Sequence, residues 1–376
     1  MKSTIRAGLF LCLVMSGLGF LGASFAQEIR KENTTTQWAI VRGNSLQSGV
    51  ANTTLPDKLK ILWQFRAKDA IEGTAAIVDG VVYVGSYDEH VYAVDLKTGK
   101  QKWKTKVGPI KAAAGVYKGA VYIGDEYGSF HCLDAKTGNK KWTFETRGEI
   151  TCGANFIDDR VLFGSYDSTL YCLSLKGEKL WEVTTEGPVN GSPVVADGKT
   201  FVAGCDSLLH MIDVKTGKEL DQVDLEGQAA ATAAVFGDQL YVGTMTDQVL
   251  AIDWKKSKKL WAFEPERSLA FYSSAAVTKD YVVVGCRNRS LYALARKTGK
   301  EIWSFKTRGR VDPSPVIVGD RVYAPSSDGK LYVIELATGK EVSSFALGQQ
   351  IVASPAVSDH RLVIGTTDGT LFCLGQ

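Results

Sequence analysis

Cysteine and histidine are the side chains best suited to bind a transition metal or act as nucleophiles, and both are sparse in this chain. The sequence has 7 cysteines and 4 histidines among 376 residues. No C-x-x-C pair and no cysteine/histidine cluster with zinc-site spacing occurs. The histidines are His90, His131, His210 and His360. No Ser/His/Asp order would bring them into one site. The sequence therefore predicts neither catalytic residues nor a metal site.

The first 26 residues have the pattern of a removable export signal. Lys2 and Arg6 give a positive start, an apolar run covers residues 9–20, and Ser24 and Ala26 place small residues before the cleavage point. Removing Lys2 and Arg6 leaves 42 basic residues (44 − 2) against 41 acidic ones. This balance lacks the basic surplus of a general nucleic-acid binder, and no later apolar run could span a membrane. We expect an exported protein, periplasmic or extracellular.

A unit of about forty residues recurs along the chain. The residue that ends its second apolar run recurs at steps of 39 to 42. These positions are Gly85, Gly124, Gly164, Gly204, Gly243, Gly285, Pro325 and Gly365. Each copy holds four short runs with strand-like alternation, separated by turn signals such as Asp79-Gly80. Four antiparallel strands in about forty residues make one propeller blade. The sequence therefore predicts an all-β fold, an eight-bladed β-propeller of four-stranded antiparallel blades over residues 59–376.

The two ends of this ring are predicted to share one blade. The last copy has three strands, and a fourth-strand pattern stands alone at residues 59–66, around Trp63. We expect this N-terminal strand to complete the last blade, which closes the ring and removes its open edges. Residues 27–58 then form an N-terminal extension or cap. An open array of repeats is the alternative.

A tryptophan marks the outer strand in most copies. The signature Asp-x-x-Thr-Gly-x-x-x-Trp is complete at residues 95–103 and 134–142. Its glycine suits a turn with positive φ, and the flat indole can pack between neighbouring blades. The predicted blade-docking residues are Trp63, Trp103, Trp142, Trp181, Trp261 and Trp303. Asp221 and Ser343 take this position in the other two copies.

This signature resembles the PQQ-like (pyrroloquinoline quinone) repeat family over essentially all of the chain after the signal, and residues 38–44 resemble that family's N-terminal cap. The resemblance implies an eight-bladed ring. Such rings serve quinoprotein dehydrogenases and also scaffolds such as the BamB-type outer-membrane assembly factors. The BamB-type factors are typically lipoproteins, whereas no cysteine follows the cleavage point here. The dehydrogenases add a calcium ion, a catalytic Asp and commonly a vicinal disulfide, and no Cys-Cys pair occurs here. We expect no cofactor, with PQQ and calcium as the alternative.

The cysteines and two histidines fall on repeat positions that other copies fill with packing residues. Cys132, Cys172 and Cys373 share a position that holds alanine elsewhere. We expect free, buried thiols, although an even count in an exported protein leaves disulfides as the alternative. His131 and His210 take the position of a tyrosine, so we expect them to pack within the blades.

One candidate site follows from the repeat rather than from a linear motif. The residue just before each inner strand should face the mouth of the central channel. In blade order these residues are Glu72, Lys111, Thr151, Asn190, Ala230, Tyr272, Asp312 and Val352. Six are polar, which a wet pore also explains, and the functional interpretation is a small-ligand or peptide site. Arg310 lies close to Asp312 in sequence, and the long loop at residues 264–272 is a second place to seek a partner.

These features together favour an exported, monomeric, non-catalytic propeller that acts as a protein-interaction scaffold in the cell envelope. Its partners would be envelope or secreted proteins rather than nucleic acid. Propellers present rigid loops, which lowers the entropic cost of binding. Two alternatives stay open: a minimal PQQ-dependent oxidoreductase and a sensor propeller for a small ligand.

Overall fold

A computed structural model describes residues 36–376, and every regular element in this range is a β-strand. The predicted export signal at residues 1–26 lies outside the described residues. The strands form eight sheets, each with one blade of four antiparallel strands in sequential order. The predicted all-β, eight-bladed propeller is therefore confirmed.

The inner half of each blade consists of a short buried strand followed by a longer one. The inner strands are Ala76–Val78, Gly115–Tyr117, Asn155–Ile157, Val194–Ala196, Ala234–Phe236, Ala276–Val277, Val316–Val318 and Ala356–Ser358. The second strands are Val81–Ser86, Ala120–Gly124, Arg160–Ser165, Lys199–Ala203, Gln239–Gly243, Tyr281–Cys286, Arg321–Pro325 and Arg361–Gly365. Neighbouring blades cover both faces of the second strands, which explains their continuous apolar runs.

The outer half of each blade passes from buried to exposed positions. The third strands are His90–Asp95, Ser129–Asp134, Thr169–Ser174, Leu208–Asp213, Val249–Asp253, Ser290–Ala295, Lys330–Glu335 and Thr370–Gly375. The outer strands are Gln101–Lys106, Lys140–Glu145, Lys179–Thr184, Glu219–Asp224, Lys258–Phe263, Glu301–Lys306, Glu341–Ala346 and Lys60–Arg66. Outer strands such as Lys140–Glu145 alternate between exposed and half-buried side chains, as expected where one face meets water.

The eighth blade combines the two ends of the described chain. Lys60–Arg66 pairs antiparallel with Thr370–Gly375, with Trp63 opposite Cys373. The N-terminal strand thus completes the last blade, as the sequence predicted. Backbone hydrogen bonds between distant parts of the chain close the ring.

The periodic glycines mark the points where one blade touches the next. A Cβ placed on Gly85 would lie 2.2 Å from Cγ2 of Ile110, which belongs to the following blade. The equivalent distance is 2.1 Å from Gly124 to Ile150. Contacts this short exclude any side chain in a close-packed interior. The period seen in the sequence is therefore the period of inter-blade packing.

The six predicted tryptophans make a second inter-blade contact, farther from the ring axis. The indole N–H of Trp142 donates to the Leu175 carbonyl of the next blade at 3.0 Å. A Cβ on Gly177 in the same turn would lie 2.8 Å from the indole, and this glycine has φ of +90°. The same hydrogen bond, at 2.8 to 3.0 Å, joins Trp63 to Leu96, Trp103 to Ala135, Trp181 to Val214, Trp261 to Arg296 and Trp303 to Leu336.

Local structure explains why two blades lack this tryptophan. Blade 4 carries Asp221, which faces a turn with Ser257 in place of glycine, and the Ser257 hydroxyl donates to the Asp221 carboxylate. An indole could not lie flat against the serine Cβ. Blade 7 carries Ser343 and faces blade 8, whose third and outer strands come from residues 370–375 and 60–66. No turn joins those two strands, so a tryptophan in blade 7 would have nothing to pack on.

Residues 38–51, which we call the capping segment, follow the inner strands from blade to blade around the ring. They belong to the predicted extension at residues 27–58. Backbone N–H groups of inner strands donate to this segment from six blades: Ile77 to Trp38, Val116 to Ala39, Val195 to Ser45, Val235 to Leu46, Val277 to Ser48 and Ile317 to Gly49. Val50–Ala51 also pairs in parallel with the inner strand of blade 7. The segment satisfies backbone groups that would otherwise face the channel unpaired.

The Gly85 contact can be tested by substitution. Gly85→Ala should lower the free energy of unfolding by about 2 to 3 kcal/mol, because the new methyl group overpacks the junction with Ile110. Urea unfolding followed by tryptophan fluorescence measures this. Gly80→Asn is the control, since a Cβ there meets nothing within 4 Å and asparagine tolerates its φ of +72°. Equal losses in the two variants would show that Gly85 is not a packing contact.

Candidate functional site

Two sets of loops meet at one end of the ring, and we call this end the loop face. Inter-blade loops lead from an outer strand to the next inner strand, and mid-blade loops join second to third strands. The Arg287 N–H in a mid-blade loop donates to the Ala270 carbonyl in an inter-blade loop at 3.2 Å. Equivalent donors occur in all eight blades: Tyr87, Glu126, Tyr166, Cys205, Met245, Arg287, Ser327 and Thr367. These bonds fix the loops against each other.

The predicted mouth residues lie in the inter-blade loops, and they associate in pairs rather than around one centre. Glu72, Thr151, Asn190, Tyr272 and Asp312 are half-buried, and Lys111 is exposed. Glu72 and Lys111, on blades 1 and 2, interact electrostatically. The Asn190 amide donates to Sγ of Cys205 at 3.3 Å.

Tyr272 and Asp312 are joined by Arg287, a residue that the sequence analysis missed. The Arg287 guanidinium carbon lies 3.7 Å from the centroid of the Tyr272 ring. Its Nε and Nη2 donate to the two carboxylate oxygens of Asp312 at 3.0 and 3.1 Å. Asp312 therefore pairs with Arg287 rather than with its sequence neighbour Arg310. Arg287 belongs to a mid-blade loop, so aligning only the residues before the inner strands could not find it.

Four exposed arginines surround this cluster on the loops of blades 6 and 7. They are Arg267, Arg289, Arg308 and Arg310. The Asn288 amide donates to the Arg267 carbonyl at 2.8 Å, and the Thr307 hydroxyl donates to the Arg289 carbonyl at 3.1 Å. Within residues 36–376, the arginines in ion pairs are Arg66, Arg287 and Arg321. The four exposed guanidinium groups are thus available to a partner, and we call this region the arginine sector.

Blades 1 to 3 carry a group of glutamates on the same face. Glu72, Glu126 and Glu149 all act electrostatically on Tyr87, whose hydroxyl donates to Glu126 at 2.9 Å. Burial and that hydrogen bond raise the pKa of Tyr87. Burial also raises the pKa of Glu72; the Lys111 charge opposes this and Glu126 adds to it. The loop face therefore carries mixed charge at blades 1 to 3, where exposed Lys111 and Arg147 accompany the glutamates, and it is arginine-rich at blades 6 and 7.

The acidic and sulfur-containing side chains near the mouth are either paired or apart from one another. Among the described residues, no group of three or more His, Cys, Asp or Glu side chains is close enough to share a metal ion. Both carboxylate oxygens of Asp312 are bound by Arg287. The cysteines from Cys132 to Cys373 are free, and none is adjacent to another in sequence.

Two buried histidines on third strands form hydrogen bonds with carboxylates. His131 Nε2 lies 2.8 Å from Asp125, and His210 lies between Asp206 at 2.8 Å and Glu219 at 2.6 Å. In three other blades the tyrosines Tyr92, Tyr171 and Tyr332 donate to an aspartate from this position. Burial disfavours the charged imidazole of His210. The hydrogen bonds that the imidazole makes to the Asp206 and Glu219 carboxylates, together with their negative charges, outweigh this and raise the pKa of His210.

A closed eight-bladed ring with docking tryptophans is the architecture of a PQQ-like propeller. The chain matches the family described as outer membrane protein assembly factor BamB over residues 56–155, 148–262 and 205–376. The protein therefore belongs to this family. Within the described range, no helix is long and apolar enough to cross a membrane.

Solved structures show the same ring at low sequence identity. BamB from Moraxella catarrhalis is 21% identical with a TM-score of 0.73, and the match covers 85% of this chain and 98% of that one. The designed protein Ika8 is 18% identical with a TM-score of 0.75, covering 84% and 100%. Quinohemoprotein alcohol dehydrogenase from Comamonas testosteroni is 14% identical with a TM-score of 0.79, covering 93% and 82%. No curated protein matches the chain. These similarities establish the fold alone.

His210 makes stability depend on pH. Because the folded state raises its pKa, this histidine stabilises the fold below its ordinary pKa, and the contribution is lost as pH rises through the folded value. The difference in unfolding free energy between wild type and His210→Gln should be larger at pH 6 than at pH 9. Urea unfolding at both values measures it, with exposed His360→Gln as the control. A difference that does not change with pH would contradict the assignment.

Proposed function

We propose that this protein is an exported, non-catalytic scaffold that binds envelope proteins through its loop face and supports the assembly of outer-membrane proteins. The observation that carries the proposal is the arginine sector beside the Tyr272–Arg287–Asp312 cluster. Arginine and tyrosine are the residue types most enriched at the energetic centres of protein interfaces. A partner with an acidic segment would complement the arginine sector.

The construction of the loop face supports binding rather than chemistry. Hydrogen bonds hold its loops in every blade, so little conformational entropy is lost when a partner docks. Exposed apolar groups adjoin the charged sectors: Leu269 is 50% exposed in the blade 6 loop, and Tyr127 is 70% exposed in blade 2. The long blade 6 loop, which the sequence marked as a place to seek a partner, carries both Leu269 and Tyr272.

Membership in the assembly-factor family and the predicted signal at residues 1–26 support export to the cell envelope. The family description names outer-membrane protein assembly, and the proposed role follows that description.

Complementation of a deletion strain tests the proposed role. The variant Arg289→Ser/Arg308→Ser/Arg310→Ser removes three positive charges from the arginine sector. It should fail to restore the level of outer-membrane β-barrel proteins, measured by quantitative mass spectrometry of the membrane fraction, because partner binding is lost. The wild type should restore it.

The matched control is Lys97→Ser/Lys136→Ser/Lys215→Ser, which removes the same charge from exposed turns at the opposite end of the blades. It should restore barrel protein levels as the wild type does, with equal amounts of folded protein for all variants. Full restoration by the arginine variant would contradict the proposed surface. Unchanged barrel proteins on deletion, together with tight PQQ and calcium binding, would favour the oxidoreductase.

A further inference from the structure

The capping segment carries a buried arginine with no carboxylate beside it. Arg42 is 2% exposed. Its Nη1 donates to the Pro315 carbonyl at 2.7 Å and its Nη2 to the Ala275 carbonyl at 2.9 Å, while its Nε has no partner. A buried cation without a counter-charge costs several kcal/mol. Some of this cost would be recovered by an anion at the unpaired edge of the guanidinium.

The electrostatic surroundings of Arg42 agree with this geometry. Burial alone lowers the pKa of Arg42 to about 9, and no charged side chain contributes to the shift. The guanidinium therefore stays protonated at neutral pH. Gly49 must be glycine because a Cβ there would lie 1.9 Å from Nη2 of Arg42. The capping segment is thus built around a charge that the described residues leave uncompensated.

A belt of hydroxyl groups lines the channel beside this guanidinium. Each hydroxyl oxygen accepts a backbone N–H from the preceding blade at 2.9 to 3.0 Å, and the five residues are Ser192, Thr232, Ser274, Ser314 and Ser354. Because these oxygens act as acceptors, their own protons can be donated to a ligand. Ser274 and Ser314 immediately precede Ala275 and Pro315, whose carbonyls hold Arg42. Two belt residues are therefore the direct sequence neighbours of the residues that hold the guanidinium.

A second buried polar side chain of the capping segment lacks partners. Gln47 is 0% exposed, and neither its amide oxygen nor its amide nitrogen has a hydrogen-bond partner. It lies between Leu46, which binds blade 5, and Ser48, which binds blade 6. Blade 6 also supplies Ala275 to Arg42. A buried amide without partners is costly unless something not formed by the protein satisfies it.

We propose that the channel beside Arg42 and Gln47 holds a binding site for one small oxyanion, a carboxylate or inorganic phosphate. Arg42 Nε and the Gln47 amide would donate from the capping segment, and the hydroxyls of Ser274 and Ser314 would donate from the channel wall. Ser274 and Ser314 each remain 7% exposed, which leaves them in contact with solvent in the channel. Ser274 and Ser314 follow Tyr272 and Asp312 by two residues in the same inter-blade loops. The proposed anion site does not depend on the proposed scaffold role.

Calorimetric titration of the full purified protein with sodium acetate, and separately with sodium phosphate, tests the site. One saturable site per chain should appear for at least one of these anions, and the preferred anion identifies the ligand as a carboxylate or a free phosphate. Arg42→Lys keeps the charge but loses the planar fork, and should weaken binding at least tenfold. Gln47→Leu and Ser314→Ala should each weaken binding several-fold.

Ser192→Ala is the matched control for Ser314→Ala. It removes a belt hydroxyl and its inter-blade hydrogen bond on blade 4, away from Arg42, and should leave anion affinity unchanged. Gln47→Leu should also raise the melting temperature without anion, because it replaces an unpaired buried amide with an apolar group of similar size. This readout shows that the variant is folded.

Crystals soaked in sodium bromide locate the site. An anomalous peak in contact with Arg42 Nε is the expected result. Water molecules alone at this position, together with no saturable binding of acetate or phosphate, would overturn the proposal. Binding that is unchanged in both Arg42→Lys and Gln47→Leu would also overturn it, because the anion would then be held elsewhere.

Discussion

The structure depends on the contact that each blade makes with the next. At the inner radius an apolar side chain such as Ile110 fills the space left by a glycine of the preceding blade. At the outer radius an indole lies on a glycine turn and donates to a carbonyl in that turn. Where glycine fills these positions, as at Gly85 and Gly177, a methyl group would come within about 3 Å of its neighbour. Pro325 in blade 7 and Ser257 opposite blade 4 are the exceptions. The two contacts set the angle between blades and therefore the number of blades that close.

The contacts between residues of neighbouring blades at the mouth depend on the angle between those blades. Arg287 reaches Asp312 only because blades 6 and 7 are held in this relation, and the cluster on the loop face would separate if the junction opened. Inside the ring, the capping segment bonds to inner strands that closure has brought into one circle. The buried Arg42 is held by carbonyls of two blades, so the channel and its capping segment are products of closure rather than of local sequence.

Most of the architecture could be predicted from the sequence because the same strand and turn patterns recur in each copy of the repeat, so that weak patterns support one another. The steps of 39 to 42 residues between glycines, and the unpaired strand around Trp63, indicated eight blades and their closure. The sites resisted prediction for a physical reason. Arg287 and Asp312 are 25 residues apart and belong to different repeat positions, so no single alignment column contains both. Arg42 and Gln47 lie outside the repeats, and only the closed ring buries them.

The fold of the ring and the function of the ring are separate questions. The same architecture occurs in an assembly factor, a designed protein and a dehydrogenase, so the fold cannot decide the function. In this chain an acid at the mouth, Asp312, is bound by Arg287 and adjoins the arginine sector. We propose that partner proteins bind to this loop face.

Site-specific photo-crosslinking in the native envelope tests whether partner proteins bind to the loop face. A photoreactive residue at Leu269 on the loop face should capture one specific envelope protein, whereas the same residue at Leu220 on an outer strand should not. The two side chains are similarly exposed, at 50% and 45%, so accessibility alone cannot produce the difference. Capture from Leu220 but not from Leu269, or from neither, would contradict the account.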